Sequence, residues 1–407
     1  MLNINWELLF NISRTLSSRR NHSFVVLLTV CVTLGACGSR PETGALAVSH
    51  DPAPGAKEHT LLIATTRDRE ATPDTYFNGE RTKKGVDFAK ATISVPPNHK
   101  PGNIEWPSSP PGNPNKDFVV RSASYIDSEK QFLNDLNRQL EKLPPKDRNV
   151  SLFIHGYNTK FAEGLYRFTQ VTHDADMPEV PVLFTWASSG HLSDYIYDLN
   201  SAAIARDSLE RTLVLLSKSR ARNISILAHS MGNFLLMEMA ARIDPKNKRL
   251  LEGKLRLVVM AAPDIDIDLF KANLKRIGVS GPPYVVVLSH DDRALQLSQT
   301  LAGGKERLGA FSNDDELAKL GAVVFDLTDI QGNDGTNHGK FAQLAQYAPQ
   351  IENLIKNTQL KDLNIDNSST AEAGVSNLGN LVSGATSSFL NLPLRLTTRQ
   401  NQLIQGN

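Results

Sequence analysis

The stretch that decides the fold is Ile224-Ser225-Ile226-Leu227-Ala228-His229-Ser230-Met231-Gly232-Asn233. Its first four residues are almost all aliphatic, which predicts a buried strand. From Met231 to Ala241 the apolar side chains recur at helical spacing, which predicts a helix. Ser230 is therefore expected at the point where a strand turns directly into a helix.

The segment Ala228-His229-Ser230-Met231-Gly232 matches the G-x-S-x-G nucleophile elbow, with alanine in place of the first glycine. The positions on either side of the apex serine must be small, because larger side chains would collide with the sharp turn. Alanine is the mildest departure from glycine. The alternative is that Ser230 merely caps the helix that begins near Met231, as serine often does.

The composition is that of an ordinary globular protein. The 407 residues are 40% hydrophobic and 21% charged, and the formal net charge is +1. The length allows one large domain or two small ones, and the near-neutral charge gives no electrostatic case for nucleic acid binding. The sequence has no Cys/His ligand cluster and no glycine-rich phosphate loop, so we expect no metal and no cofactor.

The N-terminal residues 1–36 predict a bacterial lipoprotein signal peptide. Three arginines precede an uncharged apolar run from Phe24 to Leu34, which is the order of a signal peptide and is short for a transmembrane helix. The run ends in Leu34-Gly35-Ala36-Cys37, which resembles a lipobox whose cysteine is lipidated. The alternatives are an uncleaved signal anchor and ordinary signal-peptidase cleavage. Lipidation of Cys37 would place the protein in the bacterial envelope, at the outer membrane or the periplasmic face.

The rest of the chain divides into three segments. Residues 37–58 are rich in Pro, Gly and Ala and predict a flexible tether, whereas residues 356–407 predict a low-complexity tail. In residues 59–355, continuous aliphatic strands alternate with amphipathic helices. This alternation predicts a single α/β domain, with a mostly parallel sheet covered by helices on both faces.

In an open parallel sheet, ligands bind beyond the carboxyl ends of the strands. The predicted strand Val150–Ile154 is followed by His155-Gly156-Tyr157-Asn158. The backbone N–H groups of Gly156 or Tyr157, together with that of Met231 at the start of the elbow helix, are candidates for an oxyanion hole. The side chain of His155 is expected to be structural.

The acid and the base are expected after the later strands. Asp291 and Asp292 follow the strand Tyr284–Leu288, and His338 follows the last strand of the domain. The order Ser230, Asp292, His338 is the chain order of the triad in α/β-hydrolases. Asp291 and Asp264 are alternative positions for the acid.

Three further residues each have a structural interpretation. His229 lies inside the elbow, where its side chain should point away from the serine, and His290 lies beside the acid. We expect both to be structural or surface histidines. Trp186 begins a stretch that is either the wall of an acyl pocket or plain core packing.

Together these motifs resemble one branch of the α/β-hydrolase superfamily, a bacterial branch of unknown function that is loosely labelled esterase/lipase. The resemblance spans about residues 60 to 350, and it includes the surroundings of Arg67 and the strand end Ser94-Val95-Pro96. The motifs are His155-Gly156-x-Asn158, Trp186-Ala187-Ser188-x-Gly190, Tyr195-x-x-Asp198, Ala228-His229-Ser230-Met231-Gly232-Asn233, Ala261-Ala262-Pro263-Asp264-Ile265-Asp266 and Asp292-x-Ala294-Leu295. The resemblance implies the α/β-hydrolase fold and an esterase-like activity, but it does not define the substrate.

The residues therefore predict a lipid-anchored serine hydrolase that acts on small-molecule or lipid esters through an acyl-enzyme. His338 would take the proton of Ser230 during attack, and Asp292 would orient the imidazole. Two alternatives remain: an acyltransferase that uses the same residues with an alcohol acceptor, and a non-catalytic binding module of the envelope. The sequence identifies no protein partner, oligomeric state or acyl chain length.

Overall fold

A computed structural model describes residue 40, residues 44–278, residue 282, residues 284–345 and residues 395–397. The predicted signal peptide, Cys37 and most of the predicted C-terminal tail lie outside these residues. In the described part of the chain, no helix combines the length and the apolar character that crossing a membrane requires.

The strands and helices alternate along the chain from β6 onwards, as the sequence predicts. The strands are β1 (Lys57–Thr65), β2 (Arg67–Arg69), β3 (Phe77–Arg81), β4 (Asp87–Val95), β5 (Val119–Ile126), β6 (Val150–Ile154), β7 (Val180–Thr185), β8 (Ile224–His229), β9 (Leu255–Ala261), β10 (Tyr284–Leu288), β11 (Val323–Asp326) and β12 (Arg395–Thr397). The helices are α1 (Glu129–Glu141), α2 (Phe161–Asp174), α3 (Tyr195–Ser217), α4 (Met231–Ala240), α5 (Pro245–Glu252), α6 (Ile267–Ile277), α7 (Arg293–Leu301), α8 (Asp314–Lys319) and α9 (Lys340–Leu344).

One large sheet organises the domain. Its strand order is β12-β11-β10-β9-β8-β6-β7-β1-β4-β5, while β2 and β3 form a separate antiparallel pair. The strands from β1 through β7, β6 and β8 to β11 are parallel to their neighbours, whereas β4, β5 and β12 pair antiparallel. The predicted α/β fold with a mostly parallel sheet is therefore confirmed.

Two apolar clusters cover the two faces of the sheet. On one face, side chains of β6 and β8 such as Leu152 and Ile226 pack with those of α1, α3 and α4. On the other face, Phe153 of β6 packs with α2 and with Phe341 of α9. Strands that are buried on both faces need apolar side chains at every position, which explains the continuous aliphatic runs in the sequence.

The segment predicted as a flexible tether packs partly on the domain. Leu46 is buried in the second apolar cluster, its N–H donates to the carbonyl of Asp74 (2.9 Å), and Val48 forms a β-bridge with Val120. The apolar side chains Leu46 and Val48 account for the packing of this segment on the domain. The Pro, Gly and Ala content of the segment does not predict such contacts. At the other end, β12 lies within the residues predicted as a tail and pairs with β11.

The strand order places a switch point beside β6. The chain passes from β6 to β7 on one side of β6 and then returns to β8 on its other side. The loops after β6 and β8 therefore leave the sheet in different directions and open a crevice between them, which is where open α/β sheets bind ligands. Gly156 and Ser230 follow these two strands.

Candidate active site

Ser230 lies at the apex of a strained turn between β8 and α4. Its backbone has φ 53° and ψ −126°, a conformation that side-chain-bearing residues rarely adopt. Its N–H donates to the carbonyl of Ala261 (3.0 Å), and its carbonyl accepts from the N–H groups of Asn233 and Asp264 (3.0 and 3.1 Å). Its side chain makes no capping hydrogen bond to α4, so the helix-cap alternative gains no support.

Two glycines permit the close approach of the β6 loop to the elbow. A Cβ added to Gly232 would lie 2.6 Å from the carbonyl oxygen of His155 and 2.7 Å from that of Ile154. A Cβ added to Gly156 would lie 2.6 Å from the Cβ of Ser230. Atoms cannot approach so closely, so glycine is required at both positions to bring the loop beside the serine.

Two of the expected oxyanion-hole residues, Gly156 and Met231, lie beside Ser230, and Tyr157 follows Gly156 in the chain. Met231 is the first residue of α4, whose N-terminal N–H groups have no partner within the helix and carry a partial positive charge. Within the described residues, no hydrogen bond uses the backbone N–H of Met231 or of Tyr157. Both groups are therefore without a hydrogen-bond partner among the described residues.

The side chain of His155 is part of the packing beneath this loop. Its Nε2 lies 2.9 Å from the hydroxyl of Thr185, its Nδ1 lies 2.9 Å from the carbonyl of Gly156, and its ring stacks on Trp186. Burial, with a further effect of the Arg67 charge, lowers the pKa of His155 to about 3, so the imidazole is neutral. Trp186 is fully buried and donates to the carbonyl of His155 (2.9 Å), so it is a core residue and not a pocket wall.

Asp292 and His338 meet through a short hydrogen bond. The Nδ1 of His338 lies 2.7 Å from the Oδ2 of Asp292, which is completely buried. The other oxygen of Asp292 accepts from the N–H of Leu295 (3.0 Å) and caps α7. Since Nδ1 donates to the carboxylate, the lone pair of the neutral ring lies on Nε2, which is the nitrogen that a general base uses in a triad.

Electrostatics favour the charged form of His338. Burial opposes the imidazolium, but the Asp292 carboxylate outweighs this effect and the more distant Asp264 and Asp334 add to it, so the pKa of His338 lies above its ordinary value of 6.5. No hydrogen bond joins the described residues Ser230 and His338 through their side chains. Such contacts are often long in a free enzyme and tighten when substrate binds.

Asp291, one alternative acid, faces away from the imidazole. Its carboxylate accepts from Lys340 (2.6 Å) and Asn337 (2.8 Å), as well as from the hydroxyl of Ser289. Burial opposes its ionisation, but the hydrogen bonds from Lys340 and Ser289 prevail, and the pKa of Asp291 lies below its usual range. Its contacts hold the loop on either side of His338 without touching the ring.

Asp264, the other alternative, belongs to a separate buried group. Its Oδ1 accepts from Ser298 (2.6 Å) and lies 3.3 Å from the Nε of Arg307, and its Oδ2 lies 3.5 Å from the hydroxyl of Tyr195. Burial raises the pKa of Asp264 despite the Arg307 charge. The cap of α6 comes from Asp266, whose carboxylate accepts from the N–H groups of Asp268 and Leu269.

His229 and His290, the two histidines near the predicted nucleophile and acid in sequence, have partners other than Ser230. The Nε2 of His229 donates to the carbonyl of His338 (3.3 Å), and its ring stacks on Phe341 with a centroid distance of 4.2 Å. Burial, assisted by His338, lowers the pKa of His229 well below 6.5. His290 lies 3.7 Å from carboxylate oxygens of both Asp314 and Asp326.

Two residues that support the site, Asp334 and Asn233, were not singled out as functional from the sequence. Asp334 accepts from the N–H groups of His338 (3.2 Å) and Gly339 (2.6 Å) and so shapes the loop that carries the imidazole. The fully buried amide of Asn233 donates to three carbonyls around the elbow, at 3.1 to 3.2 Å. Asn233 was visible only as part of a motif, and nothing local in the sequence marks Asp334.

The fold, the strained serine between β8 and α4 and the Asp292–His338 contact are all features of the α/β-hydrolase class. The family described as "alpha/beta hydrolase of unknown function" (DUF900) matches residues 128–357, which is more than half of the chain. The chain belongs to this family, in agreement with the resemblance noted in the sequence. A search of curated proteins found no match.

Proposed function

We propose that this α/β-hydrolase is a serine hydrolase that cleaves carboxylic esters through an acyl-enzyme. The observation that carries the proposal is the strained serine at the elbow, at the same sheet edge as the 2.7 Å Asp292–His338 contact. Ser230 is the nucleophile, His338 the general base and Asp292 the residue that fixes the tautomer of the imidazole.

The reaction follows from these positions. Ser230 Oγ forms a bond to the acyl carbon while His338 Nε2 takes the hydroxyl proton. The π electrons of the ester carbonyl move to the carbonyl oxygen, which becomes the oxyanion. The N–H groups of Met231 and Tyr157, or of Gly156, stabilise this oxyanion. The intermediate expels the alkoxide, which takes the proton from His338. Water then attacks the acyl-enzyme by the same steps and releases the acid.

Fluorophosphonate labelling tests the nucleophile. We expect the wild type to be labelled at Ser230, and the Ser230→Ala variant to lose both labelling and the hydrolysis of p-nitrophenyl esters. Thermal stability should be nearly unchanged, because alanine keeps the Cβ at the strained turn and the Ser230 hydroxyl makes no capping hydrogen bond to α4. Ser312→Ala, at an exposed serine outside the site, is the matched control.

Two outcomes would reject the hydrolase. A folded wild type that is neither labelled nor active on esters of any chain length would favour the non-catalytic binding module. Labelling of Ser230, with consumption of the ester only when an alcohol is added and with a new ester as the product, would favour the acyltransferase. A panel of graded acyl chains, assayed with and without alcohol, separates these results.

We propose further that Cys37 carries a lipid that anchors the domain to the bacterial envelope. The support is the lipobox-like sequence at the end of the apolar run, and lipidation at this position would make the protein partition into detergent. In the producing bacterium, Cys37→Ser should leave an unprocessed or soluble protein. A membrane-bound variant with the same mature mass as the wild type would reject the anchor.

A further inference from the structure

The loop that follows β6 is fixed by groups outside the loop. The N–H of Asn158 donates to the Oδ2 of Asp198 (3.0 Å), and the N–H of Thr159 donates to the hydroxyl of Ser188 (3.0 Å). The carbonyl of Thr159 accepts from the Nη2 of Arg67 (2.5 Å). These contacts begin directly after Tyr157, whose own N–H is left for the oxyanion.

Arg67 connects this loop to the loop after β7. Its guanidinium is buried, with 1% of the residue exposed, and it also donates to the carbonyl of Ser188 (2.8 Å), the hydroxyl of Thr185 (2.8 Å) and the carbonyl of Asn78 (3.0 Å). Burial lowers the pKa of Arg67 to about 10, so the side chain is charged at neutral pH. A buried cation with four acceptors holds their positions firmly, because each acceptor that moves leaves a charged donor unsatisfied.

Asp198 holds the same two loops through its carboxylate. It is completely buried on α3, and besides Asn158 it accepts from the hydroxyl of Ser188 (2.6 Å) and the N–H of Ser189 (2.7 Å). Arg67 and Asp198 therefore clamp residues 158–159 against residues 188–189 with opposite charges. Asn158 itself has φ +54°, a left-handed conformation that its hydrogen bond to Asp198 helps to maintain.

We infer that Arg67 and Asp198 are positioning residues for the oxyanion hole, which they fix by holding the backbone on the far side of Tyr157. This inference rests on the proposed function. It also gives a role to the motif residues Arg67, Ser188 and Asp198, which take no part in the triad. An oxyanion donor has its full effect only when its direction is fixed before the reaction begins.

Kinetics of Asp198→Asn and Arg67→Lys test the inference. The amide introduced by Asp198→Asn can accept at one oxygen only, whereas Asp198 now accepts two donors at Oδ2 and one at Oδ1. Lysine cannot reproduce the guanidinium fork of Arg67. We expect kcat for a p-nitrophenyl ester to fall on the order of 10²-fold, as for the loss of an oxyanion donor, with KM changed less than about threefold. Affinity for a boronic acid, whose tetrahedral adduct uses the oxyanion hole, should fall in parallel. The pH midpoint should not change, because the Asp292–His338 contact is untouched.

Arg69→Lys is the matched control, since Arg69 lies two residues away and pairs with Asp87 outside the site. If a variant does not fold, Ser188→Ala removes two of the same hydrogen bonds with a smaller disturbance, and its kcat should also fall. A loss of thermal stability with kcat and boronic acid affinity kept would overturn the inference, and so would a rise in KM alone. Failure of the wild type to react with fluorophosphonate would instead reject the proposed function, so the two failures are distinguishable.

Discussion

The replacement Asp292→Asn distinguishes the proposed acid from its neighbours by changing the proton on His338. In the structure, Oδ1 of Asp292 accepts from the N–H of Leu295, while Oδ2 faces Nδ1 of His338. An asparagine keeps its carbonyl oxygen on the Leu295 N–H, since asparagine is a good helix cap. Its NH₂ group must then face Nδ1, so the ring proton moves to Nε2 and the base is lost.

The magnitude follows from this tautomer. In a triad with a known aspartate-to-asparagine change, the wrong tautomer lowers kcat by about 10⁴-fold, which corresponds to about 5.4 kcal/mol of barrier. We expect a decrease of that order here. Because the cap of α7 is kept, the free energy of unfolding should change by less than about 1 kcal/mol.

The assay is single-turnover labelling and ester hydrolysis for three variants. Asp291→Asn loses the contact with Lys340 but none with the imidazole, and Asp264→Asn disturbs the group around Arg307. Both should retain far more activity than Asp292→Asn. The assignment of the acid fails if Asp292→Asn stays within tenfold of wild type while one of the other two loses thousands-fold.

Two further predictions follow from the same contacts. The labelling rate should rise with pH through a midpoint above 6.5, since the protonated His338 cannot accept the serine proton and Asp292 raises the pKa of His338. In Asp292→Asn the midpoint should fall. Equal midpoints for the wild type and the variant would contradict the Asp292–His338 contact. Gly232→Ala should lower the free energy of unfolding by about 1–3 kcal/mol through overpacking against the carbonyls at the end of β6. In urea unfolding, Gly335→Ala is its control because no atom lies within 4 Å of the added Cβ, and equal stability of the two variants would contradict the close packing.

The fold could be predicted because its signals are local. The strand Val150–Ile154 and the helices Ile267–Ile277 and Arg293–Leu301 begin and end where their apolar patterns do. The apolar pattern over residues 202–217 predicts a helix, but the helix begins earlier, at Tyr195. The polar side-chain atoms of Tyr195 and Asp198 in its first turns are buried against the side chains of Ser298 and Ser188. Periodicity cannot show such burial, since it depends on partners distant in the chain.

Part of the candidate site could likewise be predicted from the sequence, and part of it could not. The sequence could locate Ser230 and a carboxyl pair after β10, because a motif and the strand order mark both. The motif Asp292-x-Ala294-Leu295 favours Asp292 over Asp291, but the sequence cannot show which carboxylate faces the imidazole, since adjacent residues differ only in which way each side chain points. In the structure, Lys340 takes one carboxylate and His338 the other. These partners lie 46 to 49 residues later in the chain, so a local pattern cannot show which partner each carboxylate has.

The most deeply buried charged side chains all contact loops at the carboxyl edge of the sheet. Among the described residues, those with 2% exposure or less are Arg67, Asp198, Asp292 and Lys340. Each contacts a loop at the carboxyl edge of the sheet: the first two hold the β6 loop, Asp292 holds His338, and Lys340 holds Asp291 (2.6 Å). Burying a charge costs several kcal/mol before its contacts offset the loss, and apolar side chains often stabilise a fold as well or better. Stability alone therefore does not account for charges concentrated on these loops, whereas the proposed roles of His338 as base and of the β6 loop as oxyanion donor both require fixed directions.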